Sequence, residues 1–121
     1  MSLHNKNIGK IGEDIALHYL LARGYTLLKQ NYTSHWGELD LIMQKGNKVI
    51  FIEVKTKVGN LKGKPYDAVT PAKLYHLQRP IQYFLMDKKY KDFKYALDVI
   101  SITLDAQLLK EDLKHFENIE F

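Results

Sequence analysis

At 121 residues, with 45% apolar and 26% charged side chains, the chain is sized and composed for one globular domain, residues 1–121, rather than two cores or a disordered polypeptide. No apolar stretch approaches the roughly 18 residues that cross a bilayer, and residues 1–10 lack a signal-like core, so a cytoplasmic protein with no membrane partner is expected. Zero cysteines exclude disulfides, thiol chemistry and Cys-based zinc sites, while the net charge of +4 conceals an uneven spread: residues 44–95 hold 12 basic and 4 acidic side chains.

The first predicted element is a helix from Asn7, its N-cap, to Arg23, stopped by Gly24. Ile8, Ile11, Ile15, Tyr19 and Ala22 form its main apolar stripe. Glu13 falls in a second row with Ala16, Leu17 and Leu20, whereas Asp14 lines up with Lys10 and His18. A carboxylate in an apolar row needs a partner, or else serves as an N-terminal dipole acid. Gly9 and Gly12 weaken the helix and make sense where backbones pack closely.

Strands are predicted over Tyr25 to Tyr32, Glu38 to Gln44 and Lys48 to Thr56, the last two joined by a Gly46-Asn47 hairpin turn. Residues 57–69 read as a loop ending in Thr70-Pro71, a helix N-cap followed by proline at the first helical position. The second helix buries Leu74, Leu77, Ile81, Phe84 and Leu85, with Pro80 expected to kink or split it near His76. Tyr95 to Thr103 is a fourth strand, and the acidic tail from Asp105 is expected to hold a short helix. The order α-β-β-β-α-β gives an α/β fold, a mixed sheet flanked by helices.

The hairpin makes a sharper statement. If Lys45 faces Lys48, then Leu39 faces Val54, Leu41 faces Ile52 and Met43 faces Ile50 on one apolar face. On the other, Ile42 faces Phe51, Asp40 faces Glu53, and Glu38 faces Lys55. Two ionised carboxylates at about 5 Å repel by roughly 3 kcal/mol at an effective dielectric of about 20. A shared proton, neutralisation by Lys55, or a divalent cation would relieve that, and a site without soft ligands favours Mg²⁺ if a metal is used. A plain cross-strand salt-bridge network accounts for the same residues.

The +8 balance of residues 44–95 suits a polyanion such as nucleic acid, with a solvated lysine-rich face as the ordinary alternative. Only Arg23 and Arg79 are arginines, which favours phosphate contact over bidentate base reading. Lys73, in the first turn of the second helix, is placed to reach a phosphate, with His76 and Tyr83 on nearby turns. Asp98 reads as a local hydrogen-bonding acid, and the five histidines as surface or packing residues.

Gly12-Glu13-Asp14, Gly37-Glu38-Leu39-Asp40-Leu41-Ile42 and Phe51-Ile52-Glu53-Val54-Lys55-Thr56, in this order, resemble the YraN-like family of bacterial proteins, described as predicted endonucleases. That family is similar to the PD-(D/E)XK, or restriction-endonuclease-like, superfamily and to Holliday-junction resolvases. The resemblance implies a restriction-endonuclease-like core and metal-dependent hydrolysis of DNA phosphodiester bonds, branched or junction DNA included. It implies catalytic roles for Glu13, Asp40, Glu53 and Lys55, with Mg²⁺ or Mn²⁺ held by Asp40, Glu53, the Val54 carbonyl and, through water, Glu13. Lys57, Lys73 and His76 are the expected nucleic-acid contacts, and the likeness to resolvases raises a homodimer as one expected state. A non-catalytic module that recognises DNA junctions or ends is the alternative. The sequence departs from the family pattern at Ser34-His35-Trp36 and at Ala96-Leu97-Asp98.

Overall fold

Gly46 takes a positive φ of 62°, the conformation that lets a two-residue turn close a hairpin without a Cβ clash, and Lys45 and Lys48 face each other across it. The computed structural model of the protein describes residues 3–59 and 70–120, the first five of them as backbone only. Helix α1 (Leu3–Ala22) leads into β1 (Thr26–Ser34), β2 (Gly37–Lys45) and β3 (Lys48–Val58). Helix α2 (Pro71–Leu85), a short 3-10 turn (Lys88–Tyr90), β4 (Lys94–Leu104) and β5 (Lys110–Phe116) follow.

The five strands form one sheet in sequence order. Pairing is antiparallel except between β3 and β4, which run parallel because the chain crosses over between them through α2. Each helix covers one face. Ala16 and Leu20 of α1 pack with Leu41, Met43, Ile50, Ile52, Ile100 and Ile102; Leu77, Ile81 and Phe84 of α2 pack with Leu39, Ile42, Phe51 and Leu97. A mixed α/β sheet between helices is thus the observed architecture.

Several expectations are corrected. Helix α1 begins at Leu3, so Asn7 lies inside it rather than capping it; no Gly or Pro interrupts residues 3–8. Helix α2 starts as expected, with the Thr70 hydroxyl accepting the Lys73 amide at 3.2 Å, but it does not split at Pro80. That ring is buried, and Pro80 packs beside Gly37, where an added Cβ would stand 3.4 Å from it. The tail forms strand β5, not a helix: Leu113 and His115 turn toward the core in alternation with polar neighbours. Asp105 accepts amides from Gln107 and Leu109 and shapes the turn before it. Most of the predicted 57–69 loop lies outside the described residues.

Candidate active site

The β2–β3 ladder follows the expected register from Lys45–Lys48 to Leu41–Ile52 and ends there. Beyond that point Leu39, expected on the face of Leu41 and Met43, packs instead on the α2 side with Ile42. The alternation breaks because the Asp40 carboxylate takes the Val54 amide at 2.8 Å, occupying the gap between the strands with a side chain. Asp40 and Glu53 nevertheless meet in one cleft, close enough that Glu53 bears on the ionisation of Asp40. Burial, then the neighbouring Glu53, push the Asp40 carboxyl up to about 8.

Glu53 is 8% exposed and is held by two ammonium groups, Lys55 Nζ at 3.6 Å and Lys73 Nζ at 3.5 Å. The first turn of α2 therefore delivers Lys73 into the site, where it pairs with Glu53. Burial and the neighbouring Lys73 pull the Lys55 ammonium below its ordinary range, against the opposing pull of Glu53. The two carboxylates alone would have kept Lys55 firmly charged; burial and a second cation reverse that balance. For Lys73, burial opposes the charge, but Lys55 and Glu53 outweigh it and its affinity for the proton rises.

Glu13 reaches the same region from α1. Burial raises its carboxyl above the ordinary range, partly offset by a hydrogen bond from Asn31. Asn31 sits at a positive φ of 51° in β1, and a single polar residue in a strand carries no sequence signal for this role. The approach of α1 depends on Gly12, where a Cβ would fall 1.8 Å from the Thr56 hydroxyl oxygen. Gly9 meets no such neighbour. Glu13, Glu38, Asp40, Glu53, Lys57 and Lys73 are among the residues lining a cleft of about 720 Å³ over the end of β3. Of the expected contacts, Lys57 and Lys73 line this cleft, whereas His76 is exposed on α2 and is not part of its lining.

A second polar cluster lies on the α1 side of the sheet. His115 Nε2 stands 2.7 Å from the buried Asp98 carboxylate, and its Nδ1 2.9 Å from the Tyr19 hydroxyl. Asn118 donates its amide to the other Asp98 oxygen at 3.0 Å. Asp98 is a hydrogen-bonding acid, as expected, but its partners are 17 and 20 residues away rather than local, and the part-buried His115 packs edge-on against Tyr19 and links β5 to α1. Among the described residues, Asp98, His115 and Glu117 are also the group that brings three acid or histidine ligand atoms within 4.8 Å of one another. Glu13, Asp40 and Glu53 line one cleft but do not gather so tightly.

Residues 12–102 match the family described as "Uncharacterised protein family UPF0102", and the chain belongs to that family. It is 40% identical over 102 residues to a UPF0102 protein of Clostridium tetani, an alignment covering 84% of each chain. It is 32% identical over 116 residues to one of Caldicellulosiruptor saccharolyticus, covering 96% of this chain and 98% of the relative. A Clostridium kluyveri relative is 39% identical over 106 residues, covering 88% of this chain and 87% of its own. The matched span runs from Gly12 through the two acid-bearing strands to β4. No helix among the described residues is long and apolar enough to cross a membrane.

Proposed function

We propose that the protein is a divalent-metal-dependent endonuclease with a PD-(D/E)XK-type core that hydrolyses phosphodiester bonds of DNA, branched DNA in particular. The observation that carries this reading is the Asp40 and Glu53 couple in one cleft, with Lys55 and Lys73 within 3.6 Å of Glu53. Two carboxyls that share one site demand a proton or a cation, and burial together with the neighbouring Glu53 pushes Asp40 up. The donors are hard oxygens, which suits Mg²⁺ or Mn²⁺.

Asp40 and Glu53 would hold the ion, with the carbonyl oxygen of Val54, which also lines the cleft, as a backbone ligand. When bound, the ion supplies Lewis acidity toward the phosphate and its attacking water. Glu13, which also lines the cleft, would accept a hydrogen bond from a water there and orient it. Lys55, 3.6 Å from Glu53, would stabilise the negative charge that develops on the phosphoryl oxygens. Lys73 and Lys57 offer charge to flanking phosphates.

The test is cleavage of a four-way junction and of a flapped duplex with Mg²⁺, by the parent protein and by Glu53→Ala and Lys55→Ala. Loss of cutting by at least a hundredfold with unchanged circular dichroism is expected. Tight binding of junctions by the parent without any cutting would overturn the nuclease reading in favour of a non-catalytic recognition module.

A further inference from the structure

The β1–β2 turn and the outer face of α2 form a feature that the cleft chemistry does not use. Trp36 is 43% exposed, Tyr83 47% and Met86 76%. With Gln78, Arg79 and Gln82 they line a shallow groove of about 410 Å³. The Arg79 guanidinium carbon stands 4.8 Å from the centre of the Trp36 ring, and the His35 ring meets Trp36 edge-on at 5.0 Å between centroids. The turn is braced rather than loose: Ser34 Oγ accepts the Trp36 amide at 3.1 Å and donates to the Gly37 carbonyl at 3.1 Å. Gly37 in turn packs on Pro80 of α2.

We propose that this groove is a stacking platform for an unpaired base in a single-stranded segment of DNA, adjoining the strand held in the cleft. Three observations select that occupant. The groove combines an indole, a phenol and a guanidinium, planar groups that stack on any nucleobase, with two glutamine amides able to pair with a base edge. Helix α2 carries Lys73 and Arg79 and no acid, so its charge complements a phosphate backbone. The groove is also joined to the cleft: α2 places Lys73 beside Glu53 and, about 9 to 15 Å further along its axis, Arg79 and Tyr83. From the other side, Trp36 and the cleft-lining Glu38 flank one residue, Gly37. That separation corresponds to about three to four nucleotides of a stacked strand. The inference deepens the nuclease reading and rests on it for a strand held in the cleft, but not for the stacking itself.

Trp36 is the only tryptophan in the chain, so its fluorescence reports the contact directly. Titration of the parent protein with oligothymidylate in chelator, where no hydrolysis takes place, should quench the indole emission. Trp36→Ala and Tyr83→Ala should each weaken binding of oligothymidylate and of a single-stranded overhang about tenfold, while a blunt duplex binds as before. Trp36→Phe should retain the affinity and lose the signal. Unquenched emission together with unchanged affinity in Trp36→Ala would overturn the platform. Cleavage assayed separately keeps the two readings apart: cutting without quenching removes the platform alone, and quenching without cutting removes the nuclease alone.

Discussion

A half-buried carboxyl pushed up to about 8 ties protein stability to pH in a definite direction. In the unfolded chain Asp40 titrates near its ordinary value of 3.8, so between that value and about 8 the native state binds a proton that the unfolded state has released. The stabilisation is complete below the lower value and is lost as pH rises through the upper one. We expect the melting temperature of the metal-free protein to contain a component that falls from about pH 4 to about pH 8, and Asp40→Asn to remove that component. A thermal-melt series in chelator, parent against variant, measures it; parallel curves would show that Asp40 ionises freely. While Asp40 holds its proton, Glu53 is the carboxylate that Lys55 and Lys73 flank; ionisation of Asp40 would leave the two lysines to balance two carboxylates.

Helix α1 is held to β3 so closely that its geometry yields to a single methyl group. Replacing Gly12 by alanine gains about 1 kcal/mol of helix propensity, yet its Cβ would stand 1.8 Å from Thr56 Oγ1 and 2.8 Å from Thr56 Cβ and Cγ2. Overpacking of this kind costs about 1–3 kcal/mol, so net destabilisation is expected, with Glu13 shifted from the cleft. Denaturant unfolding checks the first effect, and partial recovery in Gly12→Ala/Thr56→Ala, where Oγ1 and Cγ2 are gone, checks its cause. Strand β5 makes a comparable attachment at the other edge. His115→Ala strips Asp98, 3% exposed, of one partner and should cost about 1–3 kcal/mol in the same assay. These two contacts differ in how far they could be read from sequence. Gly12 stands next to Glu13 in a periodic helix, and the hairpin register brought Asp40 toward Glu53, because local periodicity and turn chemistry govern both. Leu39 and His115 escaped, because a side chain replacing a ladder bond and a lone histidine meeting an acid 17 residues away are settled by tertiary packing alone. Strand β5 escaped as well: seven mostly charged residues offer little apolar alternation, and only the neighbouring β4 edge makes them a strand.

Across the whole molecule, two acid-bearing clusters flank the β3–β4 pair, and they differ in what they lack. Asp98 has both carboxylate oxygens engaged, and His115 has both ring nitrogens engaged, by Tyr19 and Asp98. A cation entering there would have to displace existing bonds. The Asp40–Glu53 couple instead holds two acids in a solvent-filled cleft, with a carboxyl forced to keep its proton. A divalent cation therefore gains most in the cleft, where it replaces that proton and lets Asp40 ionise. Mg²⁺ or Mn²⁺ present at about a hundred times its dissociation constant should add about 2.7 kcal/mol of stability, which for a chain of this size is a rise of roughly 5–15 °C in melting temperature. Asp40→Asn should abolish the rise and Glu117→Ala should leave it intact. The reverse pattern would assign the ion to the Asp98–His115–Glu117 cluster and strip the cleft of its proposed cofactor. Because the ion relieves the Asp40 proton, the rise should also be larger at pH 8 than at pH 5.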